Sequence, residues 1–237
     1  MGRQETLELL WGLRAAPKRG PKAAFGVADV AAAAVEIADS DGVGAVSMEQ
    51  VAARLGYTKM SLYRYVDSKA ALLAVMIELA IGEPPDLSRV RGGWRGQARR
   101  WCELMWQTWD RHPWVPHATV GERPVGPNEV GWSVAALTTF TDIGLSRGDT
   151  VDAVALLSGH LRNTYAVTAA GSQPWTDQVR PDEELRDVMA RTGVSYPSLD
   201  QVVAGRPLSA DRRSFGLERI LDGIELHLQR EGVGASV

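Results

Sequence analysis

A single cysteine, Cys102, stands in this chain of 237 residues. One thiol excludes an intrachain disulfide and a cysteine-based zinc cluster, fits a reducing compartment, and reads most simply as a small buried apolar residue. Phenylalanine is nearly as scarce: there are 3, against 8 tryptophans. No apolar run approaches the roughly 18 residues of a membrane span, and the start, Met1 to Thr6, lacks the apolar block of a secretion signal. The expectation is a cytoplasmic protein with no membrane partner. Its 45% hydrophobic content suffices for the core of one large or two modest domains. No grouping of His, Asp and Glu has the spacing of a metal site, and no cofactor is expected. Excess positive charge is missing too, since the net charge is -3, and taken as a sum this argues against nucleic acid, whose phosphates attract Lys and Arg.

The distribution of charge says otherwise. Arg14, Lys18, Arg19 and Lys22 form an acid-free stretch, and Arg54, Lys59, Arg64 and Lys69 face Asp67 alone. The acids of this half, Asp29, Glu36, Asp39, Asp41 and Glu49, fall mostly earlier, where a solvated helix face accounts for them. Residues 1–25 read as a flexible basic arm, because Pro17, Gly20 and Pro21 prevent a regular helix there. The arm has two readings, a minor-groove contact or a solvated tail. The apolar patch Leu7 to Leu13 within it could fold back on the rest of the chain.

Between the two basic stretches and just beyond them, the pattern is helical. Val30, Ala34, Ile37 and Ala38 recur at helical spacing until Gly42. Ser47 with Gln50 predicts a reciprocal cap for a second helix, on which Val51 and Leu55 face inward, and Gly56 permits a sharp turn. Thr58 is expected to cap a third helix over residues 58–66 with Leu62 and Val66 buried, leaving Lys59, Met60, Ser61, Tyr63 and Arg64 outward. Ser68 then caps a long apolar helix carrying Leu72, Leu73, Met76, Ile77 and Ala80. Two short helices about a glycine turn make a helix-turn-helix, a shape that places side chains in a DNA major groove. Lys and Arg can donate to guanine, Met can touch a thymine methyl, and the hydroxyls of Ser61 and Tyr63 can anchor phosphate. The plainer alternative is an ordinary helical hairpin with a basic, solvated face.

Ser-Met-x-x-Val-Ala, Leu-Gly, Ser-Leu-Tyr-Arg-Tyr-Val and Ser-Lys-Ala-Ala-Leu-Leu, in this order over residues 27–80, resemble the TetR family of transcriptional repressors. The resemblance implies an all-α protein: a three-helix DNA-binding head over residues 26–81, joined by a linker helix to a ligand-binding and dimerisation body over residues 82–237. It also implies a homodimer on a palindromic double-stranded operator, released by a small-molecule inducer. On the family pattern Thr58, Lys59, Met60, Ser61, Tyr63 and Arg64 fall on the groove-facing helix, and Ser47 and Lys69 fall at phosphate contacts. Base reading is assigned mainly to Lys59, Met60 and Arg64.

In the body, Trp94, Ala98, Trp101, Met105 and Trp109 recur at near-helical spacing until His112-Pro113. An aromatic stripe usually means core; here the abundance of tryptophan also suits the wall of a mostly apolar pocket. Val120-Gly-Glu-Arg-Pro124, a helix over residues 128–143 and Ser158-Gly-His-Leu161 in a further long helix resemble the tetracycline-repressor type of carboxy-terminal domain. The magnesium-tetracycline site of that type has a histidine where Thr119 stands and an acid where Thr168 stands, so a metal-chelated tetracycline is not implied. Trp101, Met105, Trp109, Thr119, Glu122 and His160 are the candidate ligand contacts. For His112, His117 and His160 the alternative is a helix terminus or a satisfied core group, and Arg123 has either a turn carboxylate such as Glu122 or a ligand as its partner. Residues 149–170 and 213–230 predict a helical pair, serving either the family's four-helix dimer interface or the intrachain core. Residues 171–209 read as an excursion with one helix at 182–191.

Three functions compete: a ligand-responsive repressor, an all-helical enzyme using the tryptophan-lined cavity, and an architectural DNA-binding protein with no ligand. The enzyme lacks a nucleophile, base and orienting acid at interpretable spacing.

Overall fold

Part of the segment read as a flexible arm is a helix. The computed structural model describes residues 2–13, 25–170, 183–193 and 212–234, and α1 (Arg3–Leu10) opens it. The Gly2 amide donates to the Glu5 carboxylate at 3.1 Å, Thr6 is buried, and Leu9 and Leu10 pack against the core. The indole of Trp11 donates to the Val125 carbonyl at 3.1 Å. The apolar patch thus folds back on the helix Lys69–Ile81 and, through Trp11, on the body, which offsets the entropy that a helix this short cannot recover alone. The basic residues Arg14, Lys18, Arg19 and Lys22 lie outside the described residues.

Caps set the next elements. α2 (Val27–Asp41) starts at Gly26, whose amide donates to Asp29 Oδ2 at 2.7 Å, and a 3-10 turn (Val43–Ala45) follows it. α3 (Met48–Leu55) starts at Ser47, whose Oγ accepts from the Gln50 amide at 3.2 Å; only this half of the expected reciprocal cap is formed. It stops at Gly56, held at φ 76° and ψ 27°, a left-handed conformation that glycine adopts without a Cβ clash. α4 (Lys59–Leu62) is much shorter than the helix expected over residues 58–66, because turns take over from Tyr63 to Tyr65. Thr58 does not cap it: its hydroxyl meets the Ser61 hydroxyl at 3.0 Å instead. α5 (Lys69–Ile81) begins where expected, with Ser68 Oγ accepting from the Ala71 amide at 3.1 Å. Val30, Ala34, Val51, Leu62, Val66 and Leu72 are fully buried and form the core of this head.

The body contains α6 (Gly93–Arg111), α7 (Val115–Ala118), α8 (Pro127–Thr139), α9 (Arg147–Ala170), α10 (Glu183–Thr192) and α11 (Arg212–Gly234). No strand occurs among the described residues. α8 ends four residues earlier than the sequence predicts. The hydroxyls of Thr139 and Thr141 bond back to the Ala135 and Leu137 carbonyls, Phe140 turns into the core, and Asp142 takes a positive φ of 62°. α9 and α11 pack through Leu157, Leu161, Leu217, Leu221 and Ile224, an intrachain core. Their outer sides keep Val151, Leu156, Phe215 and Leu226 exposed, Leu156 by 58%. Arg95 reaches Asp222 at 2.6 Å and Glu225 at 2.8 Å, and Arg99 reaches Glu218 at 2.6 Å, so an ion-pair ladder fastens α11 to α6.

Two polar ties join head to body. Asp39 of α2 accepts from the Trp114 indole at 2.7 Å and pairs with His112 at 3.0 Å, giving that histidine a partner in the head. Glu78 of α5 sits at the start of α8, where its carboxylate accepts from the Asn128 amide and its carbonyl accepts from the Asn128 side chain at 3.1 Å. Burial raises the Glu78 carboxyl above its ordinary value, against the pull of the Asn128 and Glu129 amides.

Candidate DNA interface and ligand cavity

The short α4 carries Lys59, Met60 and Ser61 of the residues expected to meet DNA, with Thr58 just before it and Tyr63 and Arg64 in the turn that follows. Lys59, Met60 and Arg64 are exposed, and Ser61 and Tyr63 half-buried. Met60 is 76% exposed, so its side chain is accessible to a partner. Lys59 is not a free cation: it pairs with Glu49 of α3 and lies 5.8 Å from the Tyr63 ring centroid. The Glu49 hydrogen bond raises the lysine above its ordinary value and lowers the glutamate. Ser47 and Lys69 stand at the first turns of α3 and α5; the Ser47 oxygen serves its helix, and its hydroxyl proton is left to donate. The sequence reading missed Phe25, which packs against Tyr57 and Tyr65 at 4.4 and 4.7 Å between ring centroids and fixes the chain leading into α2 beside α4. Its signal was there, as one of the few phenylalanines.

A cavity of about 130 Å³ lies in the body among α5, α6, α7, α8 and α9. Trp101, Met105, Trp109 and Thr119 of the expected contacts line it, joined by Ile81, Val115, Glu129, Trp132, Ser133, Ser158 and Arg162. Trp101 donates its indole N–H to the Trp132 carbonyl at 3.1 Å, and Trp132 donates its own to the Gly82 carbonyl at 3.1 Å, next to the end of α5. The wall is therefore hydrogen-bonded directly to the residue that caps α5. Tyr165 donates to the Trp109 carbonyl at 2.8 Å and stands edge-on to Trp106 and Trp109.

Two expected contacts lie elsewhere. Glu122 is exposed on the loop before α8, and Glu129, one turn into α8, supplies the carboxylate at the cavity. Arg123 holds Glu129, at 2.7 Å from Nη1 and through Nη2 as well, and not Glu122. His160 faces α11: its Nε2 donates to the Arg213 carbonyl at 3.0 Å, and it packs on Gly216. Its alternative reading, a satisfied core group, fits this position. Gly216→Ala puts a methyl group inside the space of the imidazole and should cost about 1–3 kcal/mol, read as a lower denaturation midpoint; no change would mean that the helix pair absorbs the methyl freely. His117 is exposed. Cys102 is buried, and burial pushes its thiol up to about 12, which keeps it protonated and unreactive. No cluster of three His, Cys, Asp or Glu side chains suited to a metal occurs among the described residues.

Residues 26–76 match the family described as bacterial regulatory proteins, tetR family, and residues 85–228 match the tetracyclin repressor-like C-terminal domain. The HTH-type transcriptional repressor DrrR1 of Streptomyces coeruleorubidus is 36% identical over 247 residues, covering 97% of this chain and 88% of that protein. Apo ActR from Streptomyces coelicolor superposes with a TM-score of 0.66 at 21% identity, over 90% of this chain and 100% of that one. ActR in complex with (S)-DNPA gives 0.65 at 22% identity, over 85% and 97%. No helix among the described residues is long and apolar enough to cross a membrane. With two adjoining domain matches and a relative aligned over nearly its whole length, the chain belongs to the TetR family of DNA-binding transcriptional regulators, not to a class of enzymes.

Proposed function

We propose that this protein is a cytoplasmic repressor that binds a palindromic operator as a homodimer and leaves it when a small molecule fills the body. In this reading residues 26–81 form the head and residues 82–237 the body. Lys59, Met60 and Arg64 read bases, Ser61, Tyr63 and Thr58 position α4 against the backbone, and Ser47 and Lys69 hold phosphate. The exposed Val151, Leu156, Phe215 and Leu226 on α9 and α11 are the faces through which two copies meet as a four-helix bundle. The observation that carries the mechanism is the cavity's direct attachment to α5, through Ile81 in its wall and the Trp132 bond to Gly82. A cavity of about 130 Å³ is below the roughly 300 Å³ of ordinary small-molecule sites, so a larger ligand must displace α6 or α8. Both are tied to the head, through Asp39 and Glu78. Displacement alters the separation of the two heads, and the ligand selects the spacing that no longer fits successive major grooves. The relative named a repressor supports the sign of the response, and the same fold in ActR holds (S)-DNPA or actinorhodin.

The test uses DNA fragments selected from a random pool by the purified protein. Two heads making six or more phosphate contacts should lose about a thousandfold in affinity between 50 and 200 mM salt; a flat gel-shift titration would sink the operator reading. Arg64→Ala should weaken the selected site by about 10- to 100-fold with the dimer intact.

A further inference from the structure

Glu129 and Arg162 bring charge to the cavity wall, and they are not equally matched. Glu129 is held by both terminal nitrogens of Arg123. Arg162 donates from Nη1 to the Pro116 carbonyl and, at 3.2 Å, to Thr119 Oγ1, and its guanidinium lies 5.6 Å from the Trp109 ring centroid. Among the described residues no carboxylate stands within ion-pair distance of it, and no acceptor meets its Nε or Nη2. Burial lowers its basicity, and the nearby charge of Arg123 acts in the same direction, opposed by Glu129. A half-buried guanidinium whose direct contacts among the described residues are a carbonyl, a hydroxyl and a π face, with Glu129 beyond ion-pair distance, is incompletely compensated; its free edge presents two parallel donors, the geometry that grips a carboxylate.

Arg162 also stands at a boundary. The same side chain lines an outer groove of about 350 Å³ with Pro116, His117, Val120, Gly159 and Asn163. The inner cavity is bounded by the rings of Trp101, Trp109 and Trp132, surfaces that favour a flat partner stacked or edge-on. Joined across Arg162, the two spaces reach the size of ordinary small-molecule sites.

We propose that this site takes a planar aromatic anion, a carboxylate or an acidic phenol, with its rings among Trp101, Trp109 and Trp132 and its charged oxygens on the free edge of Arg162. The assignment rests on the cavity being the regulatory ligand site and adds the shape and charge of what fills it. Ser133 and Ser158 add neutral hydrogen-bonding groups within the cavity. A cationic aromatic is disfavoured, because Glu129, the one carboxylate of the wall among the described residues, is occupied by Arg123.

Calorimetric titration with 2-naphthoate and its uncharged counterpart 2-naphthamide tests this on the full-length protein. Wild type should bind naphthoate at least tenfold more tightly, and Arg162→Met and Arg162→Gln, checked for folding by circular dichroism, should bind the two alike. Arg162→Lys should restore part of the preference. Equal binding to wild type, a preference that survives in both neutral variants, or no binding of either probe would overturn the proposal. If neutral aromatics release the selected DNA while acids have no advantage, the charge assignment falls and the repressor reading stands. If no compound releases it, both fall.

Discussion

Leu62→Ala is expected to remove specific DNA binding while the body stays folded. Leu62 is fully buried, so truncation should cost about 2–5 kcal/mol. The functional loss follows from how α4 is held. Its four residues are far fewer than a helix needs to stand alone, and Thr58 spends its hydroxyl on Ser61 and caps nothing. What fixes the direction of Lys59, Met60 and Arg64 is therefore the burial of Leu62 and Val66 in the head's core, where α4 packs on α3, aided by the Lys59–Glu49 pair. That pair is exposed on both sides and cannot replace a buried leucine. Gel shift on the selected fragment should show loss of the specific complex, and urea unfolding should show an early transition for the head. Leu62→Met, which conserves volume, should retain both. Intact binding by Leu62→Ala would mean that something other than this side chain anchors the reading helix.

The features legible in the sequence are those encoded within a turn of helix. Ser47, Gly56 and Ser68 mark starts and stops because each acts on an amide or a φ angle within three residues of itself. The stripe Trp94 to Trp109 announced a helix for the same reason, since one period governs every member, and α6 buries that stripe on one side while Arg99, Glu103, Gln107 and Asp110 stay exposed. What escaped depended on loop paths. Glu122 and Glu129 are equally acidic, and the course of the chain through Pro124 and Gly126 decides which one Arg123 and the cavity meet. Gly126 lets α8 approach Glu78 so closely that a Cβ would collide with its carboxylate, a fact no local pattern carries. Arg162 escaped because its significance lies in having, among the described residues, no carboxylate within ion-pair distance, which only the arrangement in space decides. For His160 both readings stayed open, because helical spacing gives its position along α9 but not which neighbour its face meets. The end of α8 was missed because threonine hydroxyls at Thr139 and Thr141 competed with the helix ladder where the apolar pattern still continued.

Trp101→Ala should produce the largest change in the body. The side chain is buried, forms the cavity wall, and donates its indole N–H to the Trp132 carbonyl. Its removal enlarges the cavity by most of an indole and takes from that carbonyl its second donor, beside the one the helix ladder supplies, at a cost of about 3–5 kcal/mol. For a chain of this length each kcal/mol is worth about 2–4 °C, so the calorimetric midpoint should fall by roughly 10 °C. Below that midpoint the variant should still bind selected DNA without ligand, because Trp101 belongs to α6, which packs mainly on α8 and α9, whereas α2, α3, α4 and α5 pack mainly on one another. Release by ligand should weaken, because the route from the wall through Trp132 to Gly82 loses its first hydrogen bond and a ligand can occupy the new space without moving α8. Trp101→Phe separates the two effects: it keeps most of the packing and loses only the N–H, so the midpoint should fall by a few degrees while the response to ligand still declines. If Trp101→Phe responds to ligand as wild type does, the hydrogen-bond route is not the one that carries the signal, and volume displacement through Ile81 is left as the coupling.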